Sequence, residues 1–320
     1  MPDVVCMGEV MVEFNAVTRG PLRHVALFEK HAAGAEGNVA IGVSRLGVSS
    51  GIITRIGDDE FGQFILDSLR AERVDTTHVV KDKRAPTAAF FIQRGFPIPE
   101  KSEAYYYRRN SAGSRLSRPD VDTKYLGSAK LFHVTGITPA LSKSAKEATF
   151  FAIKSARQHK VTVSLDTNIR LKLWTEQAAR NTLQPLCRLA DIVFTSASDA
   201  KIILGKHDPA EVARLLHGTG VKTVVVKLGE KGAFASSGGK TASQPMIPTP
   251  VEDPTGAGDS FAAAFLATQL KGWTLKESLR AAVTTAALVV TVRGDYENIP
   301  DLNALKTFMD YEHGKTEYLR

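Results

Sequence analysis

The run VEDPTGAGDSFAAAFLATQLKGW, residues 251–273, holds the residue types and spacing best suited to chemistry. Asp253 and Pro254 break any preceding helix. Gly256, Ala257 and Gly258 read as a tight turn whose backbone N–H groups can approach an anion closely. A helical pattern begins at Asp259, with Phe261, Phe265, Leu266 and Leu270 on one apolar stripe and Gly272 as its stop. Asp259 therefore falls in a first turn, where unspent N–H groups and the helix dipole point at one spot. Oriented donors beside a carboxylate suit phosphoryl transfer. The donors stabilise charge spread over phosphoryl oxygens while the carboxylate takes the proton of an attacking hydroxyl. The helix terminus should also help keep that carboxylate ionised. An ordinary N-terminal cap would use the same residues, so a bare Gly-x-Gly-Asp decides nothing by itself.

A second run, GAEGNVAIGVSRLG at 34–47, has the same character. Gly34 and Gly37 permit close backbone approach, and Asn38 starts a helix with a side chain able to bind hydroxyls. Other nucleotide motifs fail. Gly239-Lys240-Thr241 mimics the end of a Walker A loop, but Phe234 stands where its first glycine is needed. Gly256-Ala257-Gly258 is no dinucleotide fingerprint, since Phe261 occupies the third glycine position. KLGEKG at 227–232 follows a strand-like run and reads from its residues as a plain β-turn.

The elements that must position these residues alternate. Short β-branched runs at 4–8, 50–56, 131–135, 161–166, 192–195 and 223–227 read as buried strands. Helical patterns at 37–46, 61–72, 144–159, 176–189 and 209–216 lie between them. That order predicts right-handed crossovers and an α/β fold, a mostly parallel sheet with helices on both faces. Ligands bind such sheets at the carboxyl ends of the strands. Two stretches break the rhythm: residues 15–33 lack a clear helix, and 87–107 alternates as strand, turn, strand. Phe90, Phe91, Tyr105, Tyr106 and Tyr107 supply too much aromatic surface for a solvated loop, so this hairpin should cover a substrate or a second subunit.

The chain has 320 residues, 43% hydrophobic and 23% charged, which fits a large globular α/β protein and excludes a disordered one. Its formal charge of +7 is spread singly, without a basic run of five, so nucleic-acid binding is not expected. Cys6 and Cys187 form no metal or disulfide spacing, and both should be buried thiols. No apolar run approaches the roughly 18 residues of a membrane span, and Asp3 and Glu9 argue against a signal peptide. A cytoplasmic protein is expected.

The 251–273 and 34–47 runs, with RIGDDEFGQFILDSLRAERVDT at 55–76, resemble the ribokinase-like, PfkB-type carbohydrate kinases over nearly the whole chain. The resemblance implies a three-layer α/β/α core (residues 1–14, 34–86 and 111–320) with an inserted β-lid (15–33 and 87–110). It implies Asp259 as catalytic base and Gly256, Ala257 and Gly258 as the anion hole. It further implies ATP with Mg²⁺, held near Asn168, Lys227, Gly229 and Gly232 and the glycines of the turn, with no metal cage of the protein's own. A monovalent cation is admitted. Pro254 stands where the family usually has Thr.

YYYRRNSAGSRLS at 105–117, SLDTNIRLKLW at 164–174 and VRGDYENIP at 292–300 are similar to the archaeal-type 2-keto-3-deoxygluconate kinases. That likeness implies Gly34, Asn38, Tyr106, Arg108, Arg170, Asp259 and Asp295 around a sugar acid, with Phe90 where a lid Tyr is usual. Two arginines suit a carboxylate, which a guanidinium binds through paired charge-assisted hydrogen bonds. An ion pair between Arg170 and Asp166 is the competing reading. The expected function is ATP-dependent phosphorylation of the 6-hydroxyl of 2-keto-3-deoxygluconate or its galactonate counterpart, in a homo-oligomer joined through the lid. A kinase of a neutral sugar or nucleoside, and a non-catalytic sugar sensor or nucleic-acid binder, remain as alternatives.

Overall fold

The computed structural model describes residues 1–99 and 101–312. Nine strands form the core sheet: β1 (Val4–Met7), β4 (Ser50–Gly57), β5 (Val79–Asp82), β8 (Leu131–Thr135), β9 (Thr162–Asp166), β10 (Ile192–Ser196), β11 (Thr223–Lys227), β12 (Ala233–Ser237) and β13 (Lys240–Gln244). Their order is β13-β12-β11-β10-β9-β8-β1-β4-β5, parallel except for the two pairings of β12. The parallel strands are buried on both faces, which is why LFHVT and TVVVK read as continuous apolar runs instead of alternating ones. Two separate apolar clusters lie on the two faces of the sheet. One contains Val4, Cys6, Ile52 and Phe265; the other contains Val5, Met7, Ile53 and Leu165. Alternate residues of β1 and β4 thus face opposite helix layers.

A second sheet of four strands, β3-β2-β6-β7, stands apart: β2 (Met11–Ala16), β3 (Phe28–Ala33), β6 (Ala89–Arg94) and β7 (Ser102–Tyr107). The 87–107 region is the antiparallel hairpin its aromatic alternation suggests, with Phe90 opposite Tyr106 and Phe91 opposite Tyr105. Residues 15–33, which show no clear helix in the sequence and which the resemblance assigns to the β-lid, take part in two strands, and the first begins at Met11, ahead of the expected boundary at residue 15. The polar residues that obscured it, Glu13 and Asn15, are completely buried and bonded to one another. A pattern argument treats such residues as solvent-facing. A second correction concerns the helix Ala257–Leu270. It has no single apolar stripe, because Ser260 through Thr268 are all buried, between the sheet and the helices Ala35–Arg45 and Leu275–Val289.

Both sulfhydryls are buried and free, and burial raises the Cys187 thiol to about 12. Among the described residues no helix is long and apolar enough to cross a membrane.

Candidate active site

The site forms where the carboxyl ends of the parallel strands meet the lid. A cavity of about 510 Å³ opens there, within the roughly 300–1,000 Å³ usual for small-molecule sites. β9 ends on Asp166 and β11 on Lys227, and the two close into an ion pair at 2.6 Å. The competing partner for Arg170 is thereby taken. Among the described residues no carboxylate pairs with Arg170, which is exposed and lines the cavity.

Gly256 caps the helix that carries Asp259, in a left-handed conformation with φ 73°. The first helical hydrogen bond runs from the Ser260 N–H to the Gly256 carbonyl, so the N–H groups of Ala257, Gly258 and Asp259 are unspent within the helix. The turn is therefore Thr255–Gly256; Ala257 and Gly258 already belong to the helix. A Cβ on Gly256 would sit 1.9 Å from the carbonyl oxygen of Asp295, so the 290s loop rests directly on the turn. Asp253 fixes the turn from the other side, its Oδ1 accepting from the Thr255 N–H at 3.0 Å.

Asp259 and Asp295 both line the cavity, and Asn38 joins them. Its Nδ2 donates to Asp259 Oδ2 at 2.9 Å and to Asp295 Oδ2 at 2.8 Å. Asn38 is buried and does not line the cavity, and its helix starts three residues earlier, at Ala35. It thereby ties together two carboxylates that line the cavity. Gly34 precedes it with φ 133°, and a side chain there would meet the Glu9 carbonyl at 2.4 Å. Asn168, also at positive φ, reaches Asp259 Oδ1 at 3.5 Å from the opposite wall.

Burial pushes the Asp259 carboxyl up to about 7. The negative charges of Asp295 and Asp166 add to that, while the Asn38 hydrogen bond and Arg170 pull it down. The expectation that the helix terminus keeps Asp259 ionised is corrected here, since desolvation outweighs it. A base is most effective when its pKa lies near working pH, because it is then both available and strong.

The lid contributes Phe90, Tyr106 and Arg108 to the cavity. Phe90 is buried and stacks on the Tyr106 ring at 5.1 Å. Arg108 lies 5.3 Å from the Tyr106 ring and pairs with buried Glu9 at 2.5 Å. Its charge is thus already partnered, which leaves Arg170 as the cation open to an anionic ligand. Glu9, Glu13 and Asn15 are not among the expected site residues, because only the folded chain brings this N-terminal segment beside Arg108 and Asp253.

A second cavity of about 370 Å³ adjoins the first and shares Lys227, Pro254 and Gly258 with it. Its walls are apolar, from Ile247, Phe261, Val283, Ala287 and Val290, with Gly229 and Gly232 at its edge. Ala257 lines this pocket and not the first. Among the described residues no cluster of three or more His, Cys, Asp or Glu side chains could hold a metal ion.

A family profile described as pfkB family carbohydrate kinase matches residues 1–302. The 2-dehydro-3-deoxygluconokinase of Thermoproteus tenax is 45% identical over 302 residues, 94% of this chain and 92% of that one. A crystal structure of 2-dehydro-3-deoxygluconokinase from Thermotoga maritima superimposes with a TM-score of 0.87 at 26% identity, covering 95% of this chain and 97% of the other. An uncharacterized sugar kinase from Pyrococcus horikoshii, solved in complex with ATP, does so with a TM-score of 0.78 at 30% identity, covering 94% and 96%.

Proposed function

Because this chain belongs to the pfkB family of carbohydrate kinases, with their ribokinase-like α/β fold, we propose that it transfers the terminal phosphoryl of ATP to the 6-hydroxyl of 2-keto-3-deoxygluconate or its galactonate counterpart. The observation that carries this reading is the convergence of Asp259, the open helix terminus behind it and the unpaired Arg170 on one cavity.

Asp259 accepts the proton of the attacking hydroxyl, and the N–H groups of the helix terminus stabilise the charge that develops on the transferring group. Arg170 receives the carboxylate of the acid, a group that a neutral hexose lacks. Asp295, held by Asn38, accepts from a further hydroxyl. The apolar cavity suits a purine, with Gly229 and Gly232 beside it and Lys227 on the shared wall toward the phosphates. Mg²⁺ bound to the ATP phosphates would neutralise part of their charge. Self-association through the lid belongs to the same proposal. Its support is the edge strand β7, where Tyr107 is 68% exposed.

A coupled ATP-consumption screen over sugar acids and neutral sugars tests the assignment directly: turnover confined to neutral sugars overturns it. Within that screen, Arg170→Ala should raise the KM for the acid roughly 10–30-fold, the loss of one charge-assisted hydrogen-bonded contact. Slow turnover of neutral sugars should be untouched. Equal losses on both classes would place the carboxylate elsewhere.

The pH dependence follows from Asp259. A carboxyl titrating at about 7 is protonated below that pH and cannot take the hydroxyl proton. The rate should therefore fall as pH drops through about 7, tenfold for each unit well below it. A profile flat down to pH 5 would remove Asp259 from the base role.

A further inference from the structure

Glu13, on lid strand β2, is completely buried and does not line the cavity. Its Oε1 accepts from Asn15 Nδ2 at 2.6 Å, and the same Nδ2 reaches Asp253 Oδ2 at 2.5 Å. Its other oxygen, Oε2, has no donor, and neither does Oδ1 of Asp295, which is also buried. These two carboxyl groups lie within hydrogen-bonding reach of one another. Two buried acceptors facing each other cannot both remain ionised without a donor, since like charges at contact in a desolvated site repel strongly. One proton between them satisfies both.

The surroundings favour keeping that proton. Asp253 faces the pair from the turn before the helix, Glu297 from the loop of Asp295, and Asp259 from the helix itself. His31 from β3 and Tyr106 from β7 face it as well. Burial, reinforced by Asp295, holds the Glu13 carboxyl well above the usual carboxylate range.

We propose that Glu13 is a positioning residue that shares a single proton with Asp295, so that the pair carries one negative charge and presents Asp295 Oδ2 in a fixed orientation to the cavity. Two consequences follow. The lid strand grips the loop carrying Asp295 through a bond that exists only while the proton is present. Asp259, which the charge on Asp295 pushes upward, feels one charge from the pair and not two.

The significance of Asp295 as a sugar contact rests on the function proposed above, but the test does not. It reads the titration of Asp259 in the free protein by NMR of chains labelled with [¹³Cγ]aspartate, the signal being the one missing from Asp259→Asn. Glu13→Gln can still accept from Asn15 and donate to Asp295, leaving Asp295 ionised and the pair at one negative charge. Asp295→Asn can donate to an ionised Glu13 and reaches the same charge from the other side. Glu13→Gln should leave the Asp259 midpoint where it is in the unaltered protein, whereas Asp295→Asn moves the remaining charge to Glu13 and off the residue that acts on Asp259, and should lower it. The double variant removes the remaining charge and should lower the midpoint by about one pH unit. A lowered midpoint in Glu13→Gln means that both carboxyls are ionised and overturns the proposal, as does a double variant with an unmoved midpoint. If Glu13→Gln does not fold, the Asp295 signal of the unaltered protein, the one missing from Asp295→Asn, carries the reading: a shared proton splits its titration into two steps, and a single step in the ordinary carboxylate range overturns the proposal. A sugar screen that fails would count against the proposed substrate and leave this measurement intact.

Discussion

Asp259→Asn should lower kcat by roughly 10²–10⁴-fold, the usual worth of a general base. Its KM for the sugar should change little. The amide keeps the shape of the carboxylate and can still bond to Asn38 through its oxygen, so Asn38 and Asp295 stay in place. What it cannot do is accept a proton from the hydroxyl. Loss of fold would be a trivial cause of such a defect, and the pH dependence of stability separates the two. The folded protein raises the Asp259 carboxyl from its ordinary 3.8 to about 7. Between those values the folded state holds a proton that the unfolded chain has released, so stability falls as pH rises through the window. An amide does not titrate and avoids that cost. Asp259→Asn should therefore melt no lower than the unaltered protein at pH 8, with its relative advantage vanishing below pH 4. Near-normal turnover in this variant would refute the base assignment.

Gly256→Ala should be almost as damaging, for a different reason. The added methyl meets the Asp295 carbonyl at 1.9 Å and the backbone at φ 73°, a conformation L-residues adopt at a cost of about 1–3 kcal/mol. Relief requires the helix terminus to shift, the 290s loop to retreat, or both. The first moves the N–H groups of residues 257–259 away from the transferring group, and mispositioning one such donor costs roughly 10²–10³ in kcat. The second moves Asp295, and the sugar KM should rise with it. A fall in kcat together with a raised sugar KM and an unchanged ATP KM is the expected signature. Unaltered kinetics would mean that the turn has room to spare.

Much of this site is legible in the linear chain because its parts are local. A left-handed cap followed by unspent N–H groups and a carboxylate three residues on is a property of one short segment, and Gly256–Asp259 forms it in place. The strand ends Asp166 and Lys227 are equally local, since β-branched runs bounded by turns mark where each buried strand stops. Alternation of strands and helices is enough to predict a parallel sheet and therefore the edge at which a ligand binds.

The rest depends on which distant residues share a desolvated volume. Polar residues in an apolar pattern point to solvent, so Glu13 and Asn15 concealed the start of strand β2, which lies at Met11 and not at residue 15. That Asn38 ties Asp259 to Asp295, and that Arg108 is paired while Arg170 is the open cation, are decided by partners far away in sequence. Burial also reversed the expected effect on Asp259: dipole attraction can be read from a helix start, but the desolvation that lifts its pKa comes only from the surrounding fold. Residue types fixed the available chemistry; the tertiary structure set the dielectric, the charge pairing and hence which groups remain free to act.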